Sequence, residues 1–383
     1  MINMKKIGII TYFHYDNYGT MLQGYALSRA INDIGGENIK SEIIDYRFQE
    51  KLISKRQLLK IRLKRLLIYL FQVKRVIRLY RFKNKLQEKK AAFDAFEKAF
   101  CQTSNTIYNF ASDLKKNPPL YDIYITGSDQ TWSPKIGFNE ALFLSFAPDR
   151  KVRAAYAPSI GVASFTDEQK EYIKNHLKSY SFVSCRERYG TEILRDLSPV
   201  EVATVLDPTL LITSNTWRAI SIQCPINKPY ILCYFIGDRP YYRDFAKQLS
   251  KQKGIPLVYI PVSYQDLSSE NQLLWKTGPR EFLGLIDDAE VVLTDSFHGT
   301  IFSINFNKTF YSFTKHPGID SMDNLRIVDI LDRMSLEDRL VLEYKKGKHI
   351  PYSNINYNKT NELLSQEREV STAYLKRIIE EKV

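Results

Sequence analysis

Asp295, Ser296, His298, Gly299 and Thr300 lie within one short stretch, Thr294-Asp295-Ser296-Phe297-His298-Gly299-Thr300. The apolar, β-branched run Val291 to Leu293 precedes it, and Ile301, Phe302 and Ile304 follow at helical spacing. The pattern predicts a buried strand, a tight turn and a helix N-terminus. Such a turn offers backbone N–H groups and the positive end of a helix dipole to a phosphate or carboxylate. It also sets Asp295 and His298 at the carboxyl end of a strand, where open α/β sheets bind ligands. In the plainer reading His298 packs on Phe297 and Ser296 caps the helix. The company of Asp, Ser, Gly and Thr favours function.

Other strand ends carry polar groups of the same kind. Tyr121 to Ile125 reads as a strand that runs into Thr126-Gly127-Ser128-Asp129-Gln130-Thr131-Trp132. Phe182-Val183 leads into Ser184-Cys185-Arg186-Glu187, whose spacing matches a capping box at a helix start. An Arg at a buried strand end is shaped to grip a carboxylate or phosphate at two points. Lys6 to Tyr12 is a strand, followed by a loop with Asn17, Tyr18 and Gly19 and a helix from Met21 to Ile34 that carries Gln23. This first βα turn lacks GxGxxG, so it has no dinucleotide fingerprint.

The elements that must position these groups alternate strand and helix along the chain. The expected fold is α/β, with two Rossmann-like domains facing a cleft. Residues 1–212 form the first domain, 213–229 a polar linker, and 230–358 the second domain. A C-terminal helix, 359–383, is placed to pack back on the first. A length of 383 residues agrees with two cores rather than one.

The net charge of +12 is unevenly spread. Residues 47–90 hold 16 Lys and Arg against 2 acidic residues, and the remainder is close to neutral. Nucleic acid is therefore not the expected partner, because that footprint extends over a folded face. Leu59, Leu63, Leu66, Leu70, Val73, Ile77 and Tyr80 recur at three- and four-residue steps within this segment. It reads as a basic amphipathic helix or helical pair. Either it lies on anionic lipid headgroups or its apolar stripe packs on its own domain.

The four Cys residues show no CxxC spacing and no zinc-like His partners, and read as reduced thiols. The five His are scattered, so no metal site is expected, and no GxSxG elbow suggests a hydrolase. Met1 to Phe13 does not read as a signal peptide, and no apolar run approaches the ~18 residues of a membrane span. A cytoplasmic protein is expected, with the inner membrane face as a peripheral location.

Taken in order, these motifs resemble those of the polysaccharide pyruvyl transferases. The resemblance rests on Asn17-Tyr18-Gly19 with Leu22-Gln23, Gly127-Ser128-Asp129-Gln130-x-Trp132, Tyr156-Ala157-Pro158-Ser159-Ile160-Gly161 and Ser184-x-Arg186-Glu187. Asp207-Pro208-Thr209, Thr294 to Gly299 and Arg326-Ile327 complete it, so that it spans about residues 6 to 335. It implies a fold similar to glycosyltransferase type B. It also implies transfer of pyruvate from phosphoenolpyruvate onto two hydroxyls of a sugar, giving a cyclic ketal and phosphate. The acceptor it implies is a lipid-linked intermediate or a cell-surface glycan repeat, and phosphoenolpyruvate is a co-substrate, with no cofactor.

On this reading His298 is the general acid/base, oriented by Asp295. Ser296, Gly299 and Thr300 hold phosphate, while Arg186 and Arg326 serve the donor. Asn17, Gln23, Ser128, Asp129 and Gln130 face the sugar, with Trp132 or Tyr18 as a stacking plane. Two other classes share the architecture: a nucleotide-sugar glycosyltransferase and a silent glycan- or lipid-binding protein. Stabilisation by a nucleotide sugar rather than phosphoenolpyruvate marks the first, and turnover excludes the second.

Overall fold

Apolar runs buried on both faces form the central strands, as in residues 7–10 and 291–293, as expected where helices cover both faces of a parallel sheet. Ile7, Ile9 and Ile10 of the first strand and all four residues of Val291–Thr294 are fully buried. The computed structural model describes residues 4–48, 83–223, 226, 229–262, 272–315 and 324–382. The Leu stripe from Leu59 to Tyr80 lies outside them. Helix Lys83–Phe100 follows it.

Four strands, β1 (Lys5–Ile10), β2 (Ile39–Ile43), β3 (Ile123–Thr126) and β4 (Val152–Ala155), form a parallel sheet in the order β2-β1-β3-β4. A two-stranded ladder, β5 (Val183–Cys185) with β6 (Val202–Thr204), follows. Its entry is tied to β4 by a bridge from Ala154 to Phe182.

The later strands are β7 (Ile231–Tyr234), β8 (Leu257–Tyr259), β9 (Gln272–Leu273), β10 (Val291–Thr294), β11 (Thr309–Phe313) and β12 (Leu340–Val341). They form a six-stranded sheet in the order β12-β11-β10-β7-β8-β9, also parallel throughout. β10 is therefore central, and the turn after it opens at the middle of the sheet. The α/β fold with two Rossmann-like parallel sheets is the one expected.

The two halves meet through rings. Tyr18 stacks on Phe282, with centroids 4.4 Å apart and planes 6° from parallel, and its hydroxyl donates to the Thr277 carbonyl at 2.8 Å. Trp217 packs between Tyr25 and Phe302. Trp217 belongs to helix Ser214–Ile220, so the stretch expected as a plain polar linker carries a buried anchor. The C-terminal helix Asn358–Glu380 reaches back to the first half. Its Ser371 hydroxyl accepts from the Leu206 N–H at 2.9 Å, and Tyr374 donates to the Ala155 carbonyl at 3.2 Å. No helix among the described residues is long and apolar enough to cross a membrane.

Candidate active site

Ser296 caps helix Phe297–Asn305, its hydroxyl accepting the Gly299 N–H at 3.3 Å. The expected strand, turn and helix are all present, but the donors are distributed differently. The Gly299 N–H is taken by the cap, and the Thr300 N–H bonds the Ser296 carbonyl. The Thr300 hydroxyl donates to the same carbonyl and meets Ser312 at 2.7 Å. Gly299 and Thr300 therefore have their polar groups committed inside the protein and do not present them to phosphate. Gly299 is needed for space, since a methyl there would overlap the Thr294 side chain.

Asp295 does not orient His298. Its two carboxylate oxygens accept the N–H groups of Ile236 and Gly237 at 2.6 and 2.7 Å, pinning the loop after β7. Burial raises its carboxyl above the ordinary range, and these N–H donors and Lys315 oppose the rise.

The group facing His298 is Asp207, with 3.6 Å between Nε2 and Oδ2. Asp207 is fully buried and does two jobs. Oδ1 caps helix Pro208–Leu211, accepting the Thr209 N–H and hydroxyl at 3.0 and 2.8 Å. Oδ2 accepts from Arg186 Nη1 at 2.8 Å and from the Ser128 hydroxyl at 3.1 Å. Burial pushes its carboxyl up, but His298, Arg186 and the Thr209 N–H outweigh this and hold it well below the usual carboxylate range.

Arg186 directly follows β5. The expected capping box is not formed. Ser184 instead donates to the Ala155 carbonyl, and the helix starts later, at Arg188. This leaves Arg186 at a strand end with its guanidinium 4.1 Å from the centre of the Phe297 ring. Nη1 is held by Asp207 and Nε by Glu187 at 3.2 Å. Nη2 is sealed from solvent and has no partner. Burial favours loss of the Arg186 proton, and the charges of Glu187, Asp207 and Asp129 reverse this and raise its affinity for the proton.

Two more solvent-sealed polar atoms lack partners on the elements around it: Nε of Arg326 and the hydroxyl of Tyr189. Arg326 lies at the start of helix Leu325–Arg333. That helix is fixed against the first half by Asp329, which accepts from the Arg188 N–H at 3.2 Å, and by Arg333, which donates to the Arg186 carbonyl at 2.9 Å.

The residues assigned to a sugar divide into two groups. Trp132 is fully buried, stacked on Phe143 with its indole N–H on the Leu142 carbonyl, so it offers no plane to a ligand. Tyr18 is spent on Phe282. Gln23 is buried and donates to Thr11, Tyr12 and Thr20. Ser128 serves Asp207. In the second group, Asn17 is exposed and caps helix Tyr18–Gly35 through Thr20, while Asp129 and Gln130 are half-buried. Asp129 has a left-handed backbone, φ +67°, and accepts from the Thr20 hydroxyl at 3.1 Å.

A cleft of about 780 Å³, lined in part by His14, Tyr15, Asp16, Asp45 and Glu97, opens beside this loop at the carboxyl ends of β1 and β2. His14 there sits 2.9 Å from Asp45 and 3.7 Å from Glu97. Among the described residues no group of three or more His, Cys, Asp and Glu is placed to hold a metal ion.

Asp207, Glu187 and Phe297 complete the site although sequence alone did not assign them to it. Asp207-Pro208-Thr209 carried a signal, an acidic cap before a proline. A cap explains only one of its two oxygens.

The model of the family described as polysaccharide pyruvyl transferase matches residues 17–317. No curated protein matches the chain in sequence. Among solved structures, the UDP-GlcNAc 2-epimerase from Methanocaldococcus jannaschii is 13% identical, with 96% of this chain and 92% of that one covered at a TM-score of 0.47. The UDP-GlcNAc 2-epimerase from Neisseria meningitidis, bound to UDP-GlcNAc, is 12% identical, with 98% and 100% covered at 0.46. An E. coli heptosyltransferase with ADP is 12% identical, with 84% and 90% covered at 0.39.

Proposed function

The chain belongs to the polysaccharide pyruvyl transferase family, and we propose that it moves pyruvate from phosphoenolpyruvate onto two hydroxyls of a sugar. The observation that carries this reading is the pair of buried, unpartnered guanidinium nitrogens, Nη2 of Arg186 and Nε of Arg326. Buried polar atoms are almost always satisfied, and guanidinium N–H groups left bare cost stability. A small anion with both a carboxylate and a phosphate supplies acceptors for both guanidinium groups.

The chemistry then follows from the groups present. Protonation of the donor's methylene carbon gives a methyl group and an oxocarbenium-like centre at C2. His298, in its protonated form, is the acid for this step. The buried Asp207 carboxylate faces the imidazole and holds Arg186 in the orientation that leaves Nη2 bare. One sugar hydroxyl attacks C2 and the bond from C2 to the phosphate oxygen breaks. The second hydroxyl closes the ketal. Of the two hydroxyl protons, one replaces the proton now on the methyl group and the other leaves with phosphate, so the reaction balances without a redox partner.

The acceptor side of this reading moves away from Trp132 and Tyr18. Half-exposed Tyr15 lines the cleft beside β1 with His14 and Asp16, and this lining suits a polyhydroxylated ligand with mixed donors and acceptors. A lipid-linked sugar or a surface-glycan repeat is the acceptor class, met at the inner membrane face.

Thermal shift tests the donor assignment. Phosphoenolpyruvate is expected to raise Tm beyond the shift given by equimolar phosphate, and UDP or a UDP-sugar to give none. A response to the UDP-sugar alone would move the protein to glycosyl transfer.

A further inference from the structure

The Tyr189 hydroxyl is sealed from solvent and unpartnered. The residue is the second of helix Arg188–Arg195, directly after Arg188, whose N–H is bonded to Asp329 of helix Leu325–Arg333. Arg326 lies one turn earlier on that same helix, and the Tyr189 ring borders a hollow with Leu325 and Val328. Tyr189 therefore stands where the helix carrying Arg326 meets the helix that follows Arg186. The charges of Glu187, Arg326 and Arg186 all act on its phenol. Burial, with Glu187, raises that phenol, so it stays protonated and is a hydrogen-bond donor at every working pH.

We infer that Tyr189 is a donor-contacting residue, whose hydroxyl gives a hydrogen bond to an oxyanion of bound phosphoenolpyruvate alongside Arg326. The inference rests on the donor reading above. Tyr180 carries a buried hydroxyl without a partner too, so what singles out Tyr189 is its place between the helix carrying Arg326 and the helix that follows Arg186. The partner it lacks is an acceptor, and the two neighbouring guanidinium groups are donors that cannot supply one.

This predicts that stability and affinity separate. Tyr189→Phe removes a buried unsatisfied group, so the unliganded protein is expected to melt at the wild-type temperature or higher. Its affinity for phosphoenolpyruvate, measured by calorimetry, is expected to fall about tenfold or more, as for a hydrogen bond to a charged group. A parallel fall in affinity for inorganic phosphate assigns the hydroxyl to the phosphate end, and an unchanged phosphate affinity assigns it to the carboxylate.

Tyr180→Phe is the control. Tyr180 also has a buried unpartnered hydroxyl, but it packs on Trp132 away from the site, so its removal is expected to leave affinity unchanged. Wild-type affinity in Tyr189→Phe overturns the inference, as does an equal loss in Tyr180→Phe. A wild-type protein that binds no phosphoenolpyruvate is a separate outcome and overturns the donor reading itself.

Discussion

His298 and Asp207 face each other across the two halves of the molecule, 3.6 Å apart between Nε2 and Oδ2. Each is fixed from its own side: His298 on a helix capped by Ser296, Asp207 as the cap of helix Pro208–Leu211. The pairing makes Asp207, rather than Asp295, the carboxylate that faces the imidazole. Asp207→Asn keeps an oxygen for the Thr209 cap but loses the charge. Turnover, followed as phosphate release at saturating acceptor, is expected to fall about 10²-fold or more while the fold is kept. Near-wild-type turnover would remove Asp207 from the mechanism.

Asp295→Ala is expected to behave in the opposite way. It strips two acceptors from the N–H groups of Ile236 and Gly237, so the loss is one of stability, about 2 kcal/mol or more. Chemical denaturation measures it. A variant as stable as wild type would show that this loop does not depend on the carboxylate.

Gly19 lies on helix Tyr18–Gly35, and a methyl group there would overlap the His298 ring at Nδ1. Helix propensity alone favours Ala over Gly by about 1 kcal/mol. Gly19→Ala is nevertheless expected to lower turnover strongly, on the order of 10²-fold, by displacing the imidazole. Unchanged kcat and KM would mean that the ring has room to move.

Much of this frame was legible. Alternation of apolar runs with helical spacing identified β10, the turn after it and the helix that follows, because those depend on local spacing. Ser296, assigned to phosphate, proved to be the helix cap. The strand-end position of Arg186 was legible for the same reason. What Asp295 and Ser128 bond to was not, because their partners, Gly237 and Asp207, are distant in sequence. Trp132 and Tyr18 misled because an aromatic beside polar loop residues looks like a sugar platform, and only packing shows that both rings are already covered. Asp207 stayed hidden behind its capping role.

Trp132→Ala is accordingly a core substitution. It is expected to cost about 3–5 kcal/mol of stability with no selective rise in the KM for acceptor. Denaturation and kinetics on the folded fraction separate the two, and a rise in acceptor KM at unchanged stability would restore the stacking role.

His14 gives a pH dependence. Burial lowers its affinity for the proton, but Asp45 and Glu97 more than reverse this and raise its pKa to about 9, while burial of Asp45 is overcome by His14 and Arg47, bringing its carboxyl down to about 2. The His14 contribution to stability is complete below about 6.5, the unfolded value, and is lost as pH rises through about 9. The Tm gap between wild type and His14→Gln is expected to be widest at pH 6 and to close by pH 10. A gap that is constant or grows over that range would contradict the ion-paired assignment.

The central claim is that bare buried nitrogens around Asp207 hold phosphoenolpyruvate, and calorimetric titration tests it most directly. Wild type is expected to bind phosphoenolpyruvate more tightly than phosphate, and Arg186→Lys, which keeps the charge facing Asp207 but loses the fork, to bind it at least tenfold more weakly. Equal affinity of the two proteins, or no preference for phosphoenolpyruvate over phosphate, would contradict it.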